Sequence, residues 1–427
     1  MRRGQVLAAL DSTIGGRLWT SLETLLGPRR SRFESGPLGV AISGGGDSTA
    51  LLLATLDWAK EDGIDVRAVT VDHGLRDGSA AEANHVATLC AGLGCPHDTL
   101  TLTNLVPGPN LQARARDARY EAMKDWAGTM GCNAVLLGHT ADDVAETLVL
   151  RLRRGAGIDG LARMAAWRLA AHTSLHWGRP FLDIRRAELR DYLGAKGITP
   201  IEDPSNEDPS FDRIAVRHAM ASLGLDVATL CWSATALGEA RDTLDHRMRV
   251  LARELIREDR GDLIFALAPF SDLFASEPEH ARRLLVAALA WVGGKSDAPR
   301  RAEQRRLREN ILNRQACTLA GCRIEPTLPD MRIGRELSAV AGPSQTDAVW
   351  DGRWILDGPH APELTVGALG DDINSIDWRA TGLPRKTVMA SPAVRRGDSL
   401  IAVPIAGWSE GWDAFPRVAF AQALIRR

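Results

Sequence analysis

The sequence lacks any apolar run of the roughly 18–20 residues that a helix needs to cross a bilayer. Its first apolar stretch, residues 6–10, ends at Asp11 and is too short for a secretory signal. We therefore expect a cytoplasmic protein with no membrane partner.

Cysteine pairs with the spacing of metal ligands are also missing. The six cysteines include Cys90 with Cys95 and Cys317 with Cys322, both C-x4-C, and there is no C-x2-C. Zinc ribbons and iron–sulfur sites usually need the tighter spacing. The sequence favours buried or incidental thiols over a metal centre.

Lysine is scarce, since only 5 lysines accompany 47 arginines, and the net formal charge is −2. This overall balance does not indicate a nucleic-acid partner, although a local basic patch can still bind one. Because such an arginine excess is typical of a biased genome composition, single arginines carry little weight.

Short apolar runs alternate with amphipathic segments through the first half of the chain. Strands are predicted at 38–42, 66–71, 97–102 and 134–138, and helices at 47–60, 79–93, 110–130 and 140–154. Ser79-Ala-Ala-Glu82 has the pattern of a capping box, and Asn110 that of a cap. The alternation predicts an α/β fold with a doubly wound parallel sheet.

The second half has a different pattern. Residues 199–211 read as a loop, residues 213–314 have helical periodicity, and residues after 316 are rich in Gly, Pro and Trp. We predict a mainly helical second domain and a small C-terminal α+β region. The predicted divisions are an N-terminal extension (1–36), the α/β domain (37–220), the helical domain (221–330) and the C-terminal region (331–427).

A glycine run joins the first predicted strand to its helix. Backbone N–H groups next to glycine can approach an anion closely, and the helix N-terminus adds positive charge. The cofactor-binding candidates are Ser43, Gly44, Gly45, Gly46, Asp47 and Ser48. The run lacks the lysine of the common phosphate-binding loop. The alternative is a tight turn in which Asp47 only caps the helix.

Polar residues also follow the other predicted strands. His139 follows one strand, and Asp142, Asp143 and Glu146 recur beside it at helical spacing; they could hold Mg²⁺ or orient an incoming group, or they could be a solvated first helical turn. Asp72, His73 and Arg76 follow the second strand. Arg116 and Arg119 lie on one helical face, where they could clamp phosphate or face solvent.

These motifs resemble, in order, those of the N-type ATP pyrophosphatases and, within that group, of the tRNA(Ile)-lysidine synthetases. Residues 43–48 match the SGGxDS signature, and DHGLR, NLQARARDARY, GHTADDVAET, RRGAGIDGL, GRPFLDIRRAELRDYL and EDPSNEDPSFDRIAVR follow. The resemblance covers residues 38–217. The chain departs from the family pattern at Thr140, Pro200 and Ile214, where His, Trp and Asn are common.

The resemblance implies an ATP- and Mg²⁺-dependent carbon–nitrogen ligase. It would adenylate the C2 oxygen of the wobble cytidine in the CAU anticodon of tRNA(Ile), and free L-lysine would then attack C2 and displace AMP to give lysidine. The implied catalytic residues are Asp47, His139, Asp142, Asp143, Arg116 and Arg217, with Asp47 and Asp143 at the metal. Whether Asp47 or Asp143 acts as base stays open, as does the oligomeric state.

One basic window supports an RNA partner. Between residues 282 and 323 ten Lys/Arg accompany three Asp/Glu, a local balance of +7. The alternative is a solvated arginine-rich helix. Competing functions are a tRNA thiolation enzyme, which the missing C-x2-C disfavours, a small-molecule amidating ligase, and a nucleotide sensor, which would need no His139 or Asp pair.

Overall fold

A computed structural model of the chain describes residues 13–72, 74, 78–102, 108, 111–170, 173–201, 212–294 and 298–424. The chain forms two compact units, Met1–Arg241 and Asp242–Arg427. This division falls within the helix Val227–Leu255. The predicted domain boundaries at 36/37, 220/221 and 330/331 stay predictions.

The first unit alternates strands and helices. Its strands are β1 (Leu38–Ala41), β2 (Val66–Asp72), β3 (His97–Thr101), β4 (Ala134–Leu136), β5 (Trp167–Leu169) and β6 (His176–Gly178). Its helices are α1 (Ile14–Leu26), α2 (Gly46–Asp62), α3 (Ser79–Gly92), α4 (Leu111–Met130), α5 (Ala141–Arg153), α6 (Ile158–Leu161), α7 (Arg186–Ala195), α8 (Asp212–Ser222) and the first part of α9 (Val227–Leu255). A 3₁₀ helix, Gly27–Phe33, follows α1.

The six strands form one sheet in the order β3-β2-β1-β4-β6-β5. All neighbouring pairs are parallel except β5 with β6, so the predicted parallel α/β sheet is confirmed, with one antiparallel edge strand. Buried side chains of β1 and α2, such as Val40 and Leu52, lie in the core of this unit. The three-residue strands β5 and β6 were not predicted.

The N-terminus of α3 differs from its predicted capping pattern. Gly78 caps α3 with φ +98°, and no side-chain capping bond forms, so the capping box predicted at Ser79 and Glu82 is wrong. At α5, by contrast, Thr140 and Asp143 form a capping box. Asn110 and residues 202–211 of the predicted loop lie outside the described residues.

The second unit contains the rest of α9 and two further regions. Its other helices are α10 (Leu267–Ser276), α11 (Pro278–Gly293), α12 (Arg301–Leu312), α13 (Arg385–Met389) and α14 (Phe420–Ala423). Its strands are β7 (Ile256–Asp259), β8 (Asp262–Ala266), β9 (Cys317–Leu319), β10 (Cys322–Thr327), β11 (Asp330–Arg335), β12 (Ser344–Gln345), β13 (Trp354–Asp357), β14 (Leu364–Ala368), β15 (Pro392–Arg396), β16 (Ser399–Ala402) and β17 (Asp413–Pro416).

The strands of the second unit form antiparallel sheets in the orders β7-β8-β11-β10-β9, β12-β14-β15-β16 and β13-β17. The segment 221–330 therefore contains its predicted helices and also β7 to β10, which were not predicted. The C-terminal region is strand-rich with short helices, as predicted, and buries Trp350, Trp354 and Trp412. Within the described residues no single helix is long and apolar enough to span a membrane, though α8 and α9, bent by 111°, pass that test as a pair.

An ion pair is buried in the second unit. Arg335 donates from Nε and Nη2 to the two carboxylate oxygens of Asp351, at 2.7 and 2.8 Å. Both side chains are at most 4% exposed. Because a buried charge that loses its partner keeps the full cost of its desolvation, this pair constrains the fold more than an exposed pair does.

We expect Arg335→Met to lower the free energy of unfolding by about 3–5 kcal/mol, because it leaves the Asp351 carboxylate buried without its partner. Urea unfolding followed by tryptophan fluorescence measures the change. The control is Lys386→Met, which removes an exposed pair with Glu325 and should cost less than about 1 kcal/mol. Equal losses in both variants would show that burial of the pair has no special effect.

Candidate active site

A cavity of about 910 Å³ opens where β1, β2 and β4 end. Parallel strands present their carboxyl ends at one edge of a sheet, which is where ligands of such folds bind. Eight of the predicted site residues line the cavity: Ser43, Gly45, Gly46, Asp47, Ser48, His139, Asp143 and Arg217. Gly44, Arg116 and Asp142 do not line it.

The three glycines of the loop between β1 and α2 have different roles. Gly44 has φ +85°, and a Cβ there would lie 2.6 Å from Ile201 Cδ1, so only glycine fits. Its carbonyl accepts a 2.9 Å bond from the Ile201 N–H. Gly45 and Gly46 are sterically open, since a Cβ would meet nothing closer than 3.7 Å. Their small size is therefore not required by the fold, but it leaves room for a ligand.

The two serines shape the loop. Ser48 Oγ accepts from the Ser43 N–H at 3.1 Å, donates to the Gly45 carbonyl at 3.0 Å and lies 3.2 Å from Ser43 Oγ. The hydroxyls are thus held at the N-terminus of α2, which carries positive partial charge. This arrangement suits an anion.

The end of β4 packs directly on this helix N-terminus. A Cβ at Gly138 would lie 3.1 Å from the Asp47 carbonyl carbon and from Ser48 Cα, so glycine allows the close approach. The next residue, His139, is half-buried near Arg179, and desolvation together with that positive charge lowers the pKa of its imidazole to about 3. Its buried Nδ1 has no hydrogen-bond partner among the described residues. His139 is therefore neutral at physiological pH.

Three carboxylates converge on the guanidinium of Arg186, at the first position of α7. Arg186 Nε donates to Asp47 at 3.1 Å, Nη1 to Glu146 at 3.3 Å and Nη2 to Asp143 at 3.5 Å. Two arginines of α8 complete the cluster: Arg213 binds Asp143 at 3.1 Å and Arg217 binds Glu146 at 2.6 Å. The acidic residues are thus neutralised within the protein.

The pKa values of the two candidate acids are shifted in opposite directions. Burial raises the pKa of Asp47, and Arg186 offsets this only in part. Burial acts in the same direction on Asp143, but the Thr140 N–H, Arg186 and Arg213 outweigh it and lower its pKa. Thr140, one of the departures from the family pattern, donates from N and Oγ1 to Asp143 Oδ2 at 2.9 and 3.0 Å. It therefore orients this carboxylate.

Asp142 is turned away from the cavity. Its carboxylate accepts from the Arg186 backbone N–H at 2.8 Å and from Arg185 Nε and Nη2, each at 3.3 Å. It fixes the start of α7, and so it acts on the cavity through Arg186 and not directly.

Of the other residues singled out in the sequence, some line the cavity and others do not. Arg116 is exposed and bonds Tyr120 Oη at 3.5 Å, whereas Arg119, one turn later, lines the cavity. Pro200 also lines the cavity, and Ile214 is buried. His73 and Arg76 lie outside the described residues.

Arg186 as a residue of this cluster was not predicted. Arg185, Arg186 and Arg190 all occur in one motif of the family pattern, GRPFLDIRRAELRDYL, and spacing alone does not separate the member that meets the acids. The only signal was the placement of this motif in the ordered family pattern.

No group of three or more His, Cys, Asp or Glu placed to hold a metal ion occurs among the residues that the structure describes. Cys90 and Cys322 are buried, and burial raises the pKa of each thiol to about 12. Both are therefore structural thiols.

Comparison with known proteins agrees with this architecture. Residues 18–223 match the family model of the PP-loop domain. Among solved structures, the U34-tRNA thiolase NcsA from Methanococcus maripaludis aligns with a TM-score of 0.43 and 16% identity over 52% of this chain and 77% of its own. A likeness of that size supports no argument about function.

Curated relatives match over much more of the chain. A protein named tRNA(Ile)-lysidine synthase from Ruegeria pomeroyi is 42% identical over 92% of this chain and 94% of its own. Another of that name, from Hyphomonas neptunium, is 36% identical over 71% and 83%. With the PP-loop domain and its cavity in place, these similarities show that the chain belongs to the tRNA(Ile)-lysidine synthase family.

Proposed function

We propose that the protein joins free L-lysine to C2 of the wobble cytidine in the CAU anticodon of tRNA(Ile), giving lysidine in the cytoplasm. In the first step the C2 oxygen attacks the α-phosphorus of ATP, a P–O bond forms and pyrophosphate leaves. In the second, the ε-amine of lysine attacks C2, a C–N bond forms, AMP leaves and the amine loses a proton. The observation that carries the proposal is the joint placement of the glycine loop and the carboxylates around one cavity, in a chain of this family.

The glycine loop would bind the outer phosphates of ATP. Its open glycines, the N–H groups at the start of α2 and the hydroxyl of Ser43 all lie at the cavity wall. Because no lysine is present in the loop, backbone donors and the helix N-terminus supply the positive potential. Such a cradle suits a pyrophosphate that has to leave.

The carboxylates of Asp47 and Asp143 are of the ligand type that a magnesium ion binds. Mg²⁺ binds carboxylate oxygens and commonly takes one or two from the protein, with substrate phosphates supplying others. Both carboxylates line the cavity that contains the glycine loop. Bound there, the ion would neutralise phosphate charge while the α-phosphorus is attacked and pyrophosphate leaves.

The carboxylates also suit the second step, which needs a deprotonated amine. Asp47, whose pKa is raised by burial, is the better proton acceptor of the pair. Asp143, whose pKa is lowered, stays ionised and is better placed to attract the cationic amine. We therefore assign the base to Asp47 and the orienting charge to Asp143. His139, neutral and with Nδ1 buried, would serve as a hydrogen-bonding group only.

The tRNA would contact the second unit through exposed arginines of α12. Arg300, Arg301, Arg305 and Arg306 are exposed. Arg308, although also exposed, donates to the Phe274 carbonyl at 3.1 Å and stacks on its ring. Two other members of the basic window, Arg283 and Arg323, are buried and ion-paired. The surface available to RNA phosphates is thus smaller than the residue count suggests.

We expect Gly45→Ala to reduce ATP-dependent pyrophosphate release at least about ten-fold without changing the melting temperature, because its methyl group fits the fold but enters the phosphate cradle. Pyrophosphate release with tRNA present and thermal unfolding are measured side by side. Gly44→Ala is the contrast, since its positive φ and the contact with Ile201 should lower the melting temperature. Normal turnover of Gly45→Ala would contradict the proposal that the glycine loop binds the phosphates of ATP.

Asp47→Asn and Asp143→Asn should each lower kcat for lysidine formation at least about 100-fold, because each removes a charge that acts on the reacting groups. Affinity for tRNA should stay unchanged. Nucleoside mass analysis gives the rate, and filter binding gives the affinity. Asp57→Asn, which removes a carboxylate of α2 that pairs with Lys196 at the surface, is the control. A loss of tRNA affinity with normal kcat would assign these residues to RNA binding.

Replacing Arg301 and Arg305 together with Gln should reduce the slope of log K for tRNA against log[salt] by about one to two, because each phosphate contact releases condensed counterions. A tRNA titration at several salt concentrations measures the slope. The double control Arg385→Gln and Arg396→Gln removes two exposed arginines elsewhere in the second unit. An unchanged slope in the α12 variant would mean that this surface does not bind RNA.

A further inference from the structure

Three arginines surround Tyr120 beside the cavity. The guanidinium carbons of Arg116 and Arg119 lie 5.3 and 5.8 Å from the centre of the Tyr120 ring. Burial raises the pKa of the same phenol, but the nearby charges of Arg116 and Arg179 outweigh it and lower that pKa. Trp177 packs edge-on against the ring with the centroids 5.0 Å apart, which holds Tyr120 in place. The three positive charges are therefore brought together by one aromatic side chain.

These charges have no counter-ion among the described residues. Arg179 is 7% exposed and donates to the Ala165 carbonyl at 2.9 Å. The buried Nε atoms of Arg119 and Arg179 have no hydrogen-bond partner there. Neither these two arginines nor Arg116 forms an ion pair with a described carboxylate, whereas Arg186, Arg213 and Arg217 of the same cavity all do.

Burying a charge without a partner is costly, and native proteins usually pair it or bind a ligand there. Burial lowers the pKa of the Arg119 and Arg179 guanidiniums, as expected for cations without a carboxylate partner among the described residues. Arg119 lines the cavity, so an anion that enters the cavity can reach this cluster. The cluster can thus receive negative charge from an anion bound in the cavity.

We propose that Arg116, Arg119 and Arg179 form a receptor for a phosphate group, with Arg119 as the contact that faces the cavity. Guanidinium groups bind phosphate through paired N–H donors, and the two unpartnered Nε–H groups supply such donors. The receptor rests on the proposed function for its ligand. Two phosphates could occupy it: the α-phosphate of the nucleotide, or a backbone phosphate of the RNA strand next to the target base.

The first experiment measures thermal unfolding in phosphate-free, low-salt buffer and after addition of inorganic phosphate. Arg119→Gln should keep or raise the melting temperature without phosphate, because it removes an uncompensated charge. It should lose at least half of the rise that phosphate causes. Lys124→Gln, on the same helix but paired with Glu121, is the control and should keep the whole rise.

A second variant, Arg116→Gln, tests the receptor at an exposed residue, whose replacement should leave the fold intact. It too should lose part of the phosphate-induced rise. If both variants keep the full rise, or if Arg119→Gln lowers the melting temperature and keeps the rise, the cluster is structural and the receptor is overturned.

A second experiment separates the two phosphates. Binding of α,β-methylene ATP and of bulk tRNA is measured for wild type, Arg119→Gln and Lys124→Gln. A loss of at least ten-fold in tRNA affinity alone assigns an RNA phosphate, and a loss for the ATP analogue assigns the nucleotide. If neither affinity changes, the receptor is overturned.

The phosphate effect does not depend on catalysis, so the two proposals can fail separately. If wild type shows the phosphate effect but makes no lysidine from tRNA, ATP and lysine, the proposed function fails and the receptor is supported. If wild type makes lysidine and Arg119→Gln keeps the full phosphate-induced rise, only the receptor fails.

Discussion

The cavity depends on the neutralisation of three carboxylates by arginines from other helices. Asp47, Asp143 and Glu146 come from α2 and α5, which begin at the same sheet edge because β1 and β4 are parallel neighbours. Like charges held this close would disfavour ionisation of one another. Arg186 contacts all three, so α7 is joined to the sheet edge by charge as well as by packing. Asp142 accepts a hydrogen bond from the backbone N–H of Arg186 and thereby fixes the position of this arginine.

The opposite arrangement occurs around Tyr120, where arginines have no acidic partner among the described residues. One part of the cavity is thus balanced internally, and another carries excess positive charge. Where carboxylates are paired with guanidinium groups, an incoming amine or magnesium ion can replace a guanidinium as the partner at little electrostatic cost. An unbalanced basic part gains most when an anion binds. The reaction proposed here brings both kinds of group to one place.

The features that the sequence predicted are those set by local rules. The SGGGDS run between two apolar segments predicted the turn from β1 to α2, and the Thr140–Asp143 spacing predicted a helix start. What local rules miss is pairing across distance. Nothing near Asp142 indicates that it binds the backbone 44 residues later and not a ligand, and nothing near Arg186 indicates three acids from two other helices. The capping box at Ser79 failed because Gly78 took the cap position with a positive φ that only glycine adopts readily.

The functional arginines were the hardest residues to predict, because this chain has so many arginines. A count of charges does not show whether a guanidinium group is paired within the fold or exposed. In the basic window, Arg283 is 2% exposed and binds Asp245 and Glu279, and Arg308 binds a backbone carbonyl. Such arginines stabilise the fold and cannot also contact phosphate without giving up those bonds. Guanidinium groups that stay exposed, as at Arg301 and Arg305 of α12, keep their donors available to a ligand. For an arginine-rich chain, therefore, the informative arginines are those without a carboxylate partner among the described residues. The cluster at Tyr120 meets that criterion, and its member Arg119 lines the cavity.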